Sequence, residues 1–283
     1  MEFYEPKKIN LADWDLFGGG HTAESYYHKT DDTVMMKLYA PFVPKETVYW
    51  EKECADAVMA CGVATTAVRD VVIAEDGRLG VTFDRLKNKK SISRLVADDP
   101  DNLDEYVRIF AEETKLLHER ACNKHKFPSK AELVRNLVTE ATALTEERRK
   151  KLLDFLAAVP ETGTCIQGDL HIGNLLIADG KRVWIDLADW AWGNPLYDIG
   201  VMYTMMVIDT GAADDFHCDS PTLNRVWRTF VRYYAGAETE EQIDAYTKSI
   251  EPFALPRLLF FIKVNPSAID IFGDRINNII DGM

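Results

Sequence analysis

Gln167-Gly-Asp-Leu-His-Ile-Gly-Asn174, followed by Trp184-Ile-Asp186, is the stretch whose reading decides the fold of this chain of 283 residues. Asp169 stands five residues before Asn174, and Asp186 stands twelve after it. Two apolar runs, Leu175-Leu-Ile177 and Val183-Trp-Ile185, bracket Asp179-Gly180, a pair that favours a tight hairpin turn. Such a hairpin folds Asp186 back toward Asn174. It brings together two hard oxygen donors of the kind that Mg²⁺ accepts beside phosphate and water. An isolated D-x-x-x-x-N is more often a cap or a turn. The second carboxylate at a hairpin's distance makes the pattern specific.

Upstream of this stretch the texture is that of strands. Trp14–Phe17, Ala23–Tyr27 and Thr33–Tyr39 alternate with turn signals and read as an antiparallel meander. Val48, Ala55, Val58 and Met59 recur with helical spacing between Pro44 and Cys61, and Gly62 supplies a stop. Ala67–Ile73 and Leu79–Phe83 form a further hairpin around Glu75-Asp-Gly-Arg78. The basic tract Lys87-Asn-Lys-Lys90 then separates this part from residues 101–120 and 130–158, both amphipathic and helical in period. Short strands flank Asp169 and Asp186, and helix dominates from Asp198 onward. The expectation is an α+β fold with two lobes: residues 1–88, an antiparallel sheet with one helix, and residues 89–283, mainly helical.

Phosphoryl transfer asks for positioned positive charge on the phosphates and a carboxylate beside the acceptor hydroxyl. Candidates for each part are present. Asp169 suits the carboxylate, and Asn174 and Asp186 suit the metal. Phe17-Gly-Gly-Gly-His-Thr-Ala-Glu-Ser-Tyr26 places Gly18 and Gly20 where backbone N–H groups can approach phosphates, although three glycines between strands are by themselves an ordinary turn. Lys37, in Val34-Met-Met-Lys-Leu38, alternates with apolar neighbours and so points to one face of its strand. Glu51, three and four residues from Val48 and Ala55 beside the apolar stripe of the following helix, is its expected partner in preference to Glu53.

The run Gln167–Asn174, then Ile185-Asp186, then Gly193-Asn-Pro-Leu-Tyr-Asp-Ile-Gly200 resembles the aminoglycoside phosphotransferase and choline kinase family. That resemblance implies a protein-kinase-like fold and transfer of phosphate from ATP, with Mg²⁺, to a hydroxyl of a small molecule. It implies Asp169 as catalytic base, Asn174 and Asp186 as metal ligands, and Asp198 in a structural role around the loop. Gly18–Tyr26, Lys37–Tyr39 and Pro44–Glu46 resemble one branch of these proteins more closely. Val81-Thr-Phe-Asp-Arg-Leu86 resembles the family's linker between lobes, which places Phe83 and Arg85 beside the nucleotide; an ordinary strand end is the alternative. One departure stands out: Gln167 occupies a position usually held by His. His171 is expected to support the loop rather than to transfer a proton.

With 46 acidic against 33 basic residues the formal charge is −13, which excludes the basic footprint of a nucleic-acid binder. Five cysteines lack any C-x-x-C pair, the N-terminus carries no signal-like apolar stretch, and no apolar run spans a bilayer. The expectation is a cytoplasmic protein without nucleic-acid or membrane partners. Asp209, Asp214, Asp215 and Asp219, with Trp190 and Trp192, raise the prospect of a cationic acceptor, though solvated acidic loops and core tryptophans are the plainer reading. Two other functions share the motifs. One is a nucleotide-binding regulatory protein without turnover. The other is a protein kinase, against which stand Asp186-Leu-Ala in place of D-F-G and the lack of A-P-E.

Overall fold

The computed structural model describes residues 3–20 and 22–283. They divide into two compact units, residues 1–89 with 176–188, and residues 90–175 with 189–283. The segment 176–188, which carries Asp186, therefore packs with the first unit and not with the residues 89–283 that the sequence boundary grouped it with. Among the described residues no helix is long and apolar enough to cross a membrane.

In the first unit six strands form one sheet: β1 (Lys7–Ile9), β2 (Trp14–Gly19), β3 (Ala23–His28), β4 (Val34–Tyr39), β5 (Val68–Ala74) and β6 (Leu79–Asp84), in the order β1-β5-β6-β4-β3-β2. The meander and hairpin are antiparallel as expected, while β1, unseen in the sequence, adds in parallel to β5. Helix α1 (Lys45–Ala60) covers one face. The period-two alternation of β4 explains how. Val34, Met36 and Leu38 pack with Trp14, Val72 and Ala74 on one side of the sheet, while Tyr39 joins Val48, Tyr49 and Ala55 of α1 on the other. Lys37 shares the parity of Tyr39 and so faces α1.

The chain passes between the units at β7 (Lys89–Ser91). The second unit contains α2 (Ile92–Asp98), α3 (Leu103–His118), α4 (Lys130–Glu140), α5 (Glu146–Ala158) and the strand β8 (Thr164–Ile166). The single helix expected over 130–158 is thus two. Thr145 accepts a hydrogen bond from Arg148 N and starts a new helix with Glu146 and Glu147 in its first turn, where acidic side chains favour the helix dipole. Strands β9 (Leu175–Ala178) and β10 (Lys181–Trp184) form the anticipated hairpin, with Asp179 and Gly180 both at positive φ in the turn.

After β11 (Ala191–Gly193), which pairs with β8, come α6 (Leu196–Tyr203), α7 (Ala212–Phe216), α8 (Ser220–Ala235), α9 (Glu240–Val264) and α10 (Ile269–Asp281). Helices α4, α5, α9 and α10 bury one apolar cluster, which includes Val138, Leu152, Leu255, Leu258 and Ile276. Helices α6 and α9 touch at Gly200, where a Cβ would lie 2.1 Å from the Phe253 carbonyl oxygen. Only hydrogen fits there, so α6 and α9 approach closely at this point.

Candidate active site

Within the first unit, Lys37 Nζ lies 3.1 Å from Glu51 Oε1. The helical-face argument that preferred Glu51 to Glu53 and the strand parity of Lys37 meet in this pair. Glu51 Oε2 is buried without a hydrogen-bond partner among the described residues. Burial pushes the Glu51 carboxyl up, nearby Lys37 opposes that shift, and Asp186 adds to it. Asp186 is brought there by two ties: Thr65 donates to the Trp184 carbonyl at 2.8 Å, and Cys54 Sγ donates to the Leu187 carbonyl at 3.1 Å. It holds a left-handed backbone, with φ of 55°. Such a conformation is costly for a side-chain-bearing residue and marks a position held by its surroundings. Lys37, Glu51, Phe83 and Asp186 together border a cavity of about 250 Å³, with Met35 and Leu176 as its apolar walls.

Of the other residues placed beside the nucleotide, Gly18, Gly20 and Arg85 do not border that cavity. His21 of the glycine stretch lies outside the described residues. Gly20 N donates to the Ala23 carbonyl at 2.8 Å, and a Cβ on Gly18 or Gly20 would meet nothing within 4 Å. The surface there is open, and no strained backbone demands glycine. Arg85 stacks its guanidinium on Tyr27 at 3.7 Å, and Tyr27 in turn stacks on Phe17. Val81–Asp84 belong to β6, and the amides of Asp84 and Arg85 are spent on the carbonyls of Ala67 and Thr33. Of the two readings left open for this segment, the strand end holds as far as Asp84, and irregular backbone begins at Arg85. Lys89, read from sequence only as part of a boundary tract, also borders the cavity, and burial lowers its pKa.

In the second unit the Gln167–Asn174 loop is fixed from several sides. Asp198, fully buried, accepts from Gln167 N at 2.7 Å and from Gly168 N at 2.8 Å, and it contacts His118 Nε2 at 3.1 Å. Its expected structural role has this geometry. Gly168 has φ of +88°, and a Cβ there would lie 2.0 Å from the Asp189 carbonyl oxygen, so glycine is required. Gln167 Oε1 accepts from Asp169 N at 2.7 Å, a bond that an amide makes as well as an imidazole could. Asn174 Nδ2 donates to the Asp169 carbonyl at 3.0 Å, which leaves the amide oxygen pointing elsewhere.

The Asp169 carboxylate is mostly buried. Arg257 Nη2 donates to its Oδ1 at 2.6 Å, and His171 Nε2 lies 3.5 Å from Oδ2. Gly173 N donates to His171 Nδ1 at 3.1 Å, which fixes the proton of the neutral ring on Nε2, the nitrogen facing Asp169. Burial alone would raise the Asp169 carboxyl, but His171, Arg257 and Lys130 outweigh it and hold the group below the usual carboxylate range. Arg257 and Lys130 escaped the sequence reading. The signal for Arg257 was a lone cation within Ala254-Leu-Pro-Arg-Leu-Leu-Phe-Phe261, an otherwise apolar run of α9. The acidic and aromatic residues considered for a cationic acceptor do not converge: Trp190 is core, Lys124 sits over the Trp192 ring, and Asp219 caps α8.

The sequence model of the phosphotransferase enzyme family matches residues 13–245. The chain belongs to that family. The resemblance drawn from its motifs is thereby met, and the chain is a phosphotransferase. No curated protein sequence matches it. Among solved structures it is similar to the aminoglycoside phosphotransferase APH(4)-Ia, with a TM-score of 0.63 at 11% identity, covering 95% of this chain and 93% of that one. It is similar also to the amicoumacin kinase hAmiN in complex with AMP-PNP, Ca²⁺ and Ami, with a TM-score of 0.56 at 12% identity, covering 98% and 91%. A choline/ethanolamine kinase family protein from Mesorhizobium loti gives a TM-score of 0.55 at 12% identity, covering 94% and 87%. Identities this low speak to fold alone. The fold of the phosphotransferase is the α+β, protein-kinase-like one expected of it.

Proposed function

We infer that the phosphotransferase moves the γ-phosphate of ATP to a hydroxyl of a small molecule, with Asp169 receiving the hydroxyl proton. The observation that carries this reading is the fixed Asp169, its backbone held by Gln167 and Asn174 and its carboxylate by Arg257, with the carboxyl kept below the usual range. A base so acidic is a weak one, so its part is to orient the hydroxyl and take the proton late. The acceptor oxygen bonds to phosphorus as the bond from phosphorus to the departing ADP oxygen breaks, and the proton passes to Asp169 and then to water. Residues 1–88 are the nucleotide-binding lobe in this reading, with Lys37, steadied by Glu51, on the ATP phosphates. Residues 89–283, apart from the segment 176–188 that packs with the first unit, supply catalysis and acceptor binding.

Asn174, through its uncommitted amide oxygen, and Asp186 offer the hard oxygen donors that fit Mg²⁺. The ion would neutralise charge on the phosphates. Asp169→Asn is expected to abolish ADP release across a panel of aminoglycosides, choline, ethanolamine, sugars and nucleosides, with MgATP affinity by calorimetry unchanged. Turnover retained by that variant overturns the assignment of the base. MgATP binding without turnover of any acceptor by the wild type favours the regulatory alternative.

A further inference from the structure

A second cavity, of about 380 Å³, opens in the second unit beside the Asp169 loop, with Gly168 and Arg257 in its wall. Its lining is mostly apolar. Val134, Tyr197 and Phe253 are buried there, while Leu133 and Phe260, 45% and 43% exposed, extend apolar surface to solvent. Exposed apolar side chains gathered at the mouth of a cavity mark a ligand more often than scattered ones do.

The polar groups of this wall are equally informative. Tyr197 is 3% exposed, and its hydroxyl has no hydrogen-bond partner among the described residues. The same is true of Arg257 Nε, although Nη2 of that residue holds Asp169. Among the described residues Lys130 Nζ makes a single hydrogen bond, at 3.3 Å to the neutral Gly168 carbonyl. Orphaned buried donors are costly, and an oxygen of a bound molecule would satisfy those of Tyr197 and Arg257 and take a further proton of the half-buried Lys130. Carboxylates are scarce by comparison. Glu140 is already paired with Lys263 at 3.0 Å, and Asp189 is exposed, where solvent screens its charge.

We propose that this cavity seats the acceptor, and that the acceptor is a hydroxy compound with an apolar body and one anionic group, such as a carboxylate, bound by Lys130 with Tyr197 and Arg257. The proposal rests on the kinase reading above and names the substrate class of that same site. It displaces the cationic acceptor that the acidic composition suggested: an ammonium group placed here would meet Lys130 and Arg257, and the two carboxylates of the lining, Glu140 and Asp189, are both exposed to solvent. The group transferred and the proton taken by Asp169 are those already stated. The product is the phosphate monoester of the hydroxy acid, with ADP.

Three probes share a phenylpropyl body and a hydroxyl: 3-phenyllactate carries a carboxylate, 3-phenylpropane-1,2-diol is neutral, and phenylalaninol carries an ammonium. Calorimetry first measures MgAMP-PNP binding to the wild type, then each probe in the presence of MgAMP-PNP. The carboxylate probe should bind at least about tenfold more tightly than the other two, the value of one charge-assisted bond. Lys130→Gln should erase that preference, and Phe260→Asp should weaken all three probes, both variants keeping wild-type affinity for MgAMP-PNP. Tighter binding of phenylalaninol, a preference that survives Lys130→Gln, or binding of none of the three while MgAMP-PNP binds, each overturns the proposal and leaves the kinase reading standing. Absence of MgAMP-PNP binding to the wild type strikes the kinase reading itself.

Discussion

Replacing Arg257 by Met keeps the length of the side chain and its contact with Phe260 and Phe261, and removes the cation that lies 2.6 Å from Asp169 Oδ1. Two unit charges in such contact attract by roughly 4–5 kcal/mol at an effective dielectric constant of about 20. Breaking one partner of a fully buried pair costs about 3–5 kcal/mol. Here 15% of the Arg257 side chain and 19% of Asp169 remain exposed, and His171 and Lys130 still face the carboxylate. The expected loss is therefore about 2 kcal/mol, with the Asp169 pKa rising back toward its ordinary value.

The sign of the pH dependence follows from the direction of the Asp169 shift. A carboxyl depressed in the folded state adds stability above its unfolded value, and that stability is lost as pH falls through the folded value. In Arg257→Met the folded value moves back toward the ordinary one. The stability gap between wild type and variant should therefore be full at neutral pH and should close as pH drops below the ordinary carboxylate range. Urea unfolding at a series of pH values reads the gap. ¹³C NMR of the side-chain carboxyls, with Asp169→Asn to assign the signal, reads the titration itself. A gap independent of pH, or an Asp169 signal that titrates at the same pH in both proteins, refutes the reasoning.

Lys37→Ala should weaken MgAMP-PNP binding about 10- to 100-fold by calorimetry, the value of a charge-assisted bond to phosphate, and an unchanged affinity would remove Lys37 from the nucleotide site. Gly200→Ala forces a methyl group against the Phe253 carbonyl and should cost about 3 kcal/mol in urea unfolding. Because α9 also carries Arg257, the same substitution should raise the pH at which Asp169 titrates; a destabilised protein with an unmoved Asp169 signal would separate the helix contact from the site.

The parts legible in sequence are those in which local periodicity and the requirement coincide. Alternation along Val34–Tyr39 placed Lys37 on one face, helical spacing placed Glu51 opposite it, and Asp179-Gly180 announced the hairpin before Asp186. What stayed hidden depends on distant pairing. Arg257 reaches Asp169 across a separation of 88 residues, through a helix whose position is set by the close approach at Gly200. The parallel pairing of β1 with β5 leaves no trace in a segment of three residues. The break between α4 and α5 was written locally, in the Thr145 cap and the two glutamates after it, but the apolar period ran across it and concealed it. For Val81–Leu86 the sequence left linker and strand end open, and the strand β6 takes the segment as far as Asp84.

Gln167, the one departure from the expected motif, changes meaning once its bonds are known. The loop needs an acceptor for Asp169 N, and the Gln167 side-chain oxygen provides one in a fully buried position. A neutral amide does this without a titration of its own, whereas an imidazole there would be a second ionisable ring in the same loop as His171. The contact with Asp198 falls instead to His118 of α3, whose other nitrogen meets the Tyr234 hydroxyl at 2.7 Å. Support of the loop is therefore divided: α3 and α8 hold Asp198, Asp198 holds the backbone at Gln167 and Gly168, and Gln167 holds Asp169. The groups that set the acidity of Asp169 are His171, Arg257 and Lys130. Gln167 fixes the loop backbone without a charge, whereas Arg257 both holds the carboxylate and lowers its proton affinity, so a substitution at Arg257 acts on position and acidity together.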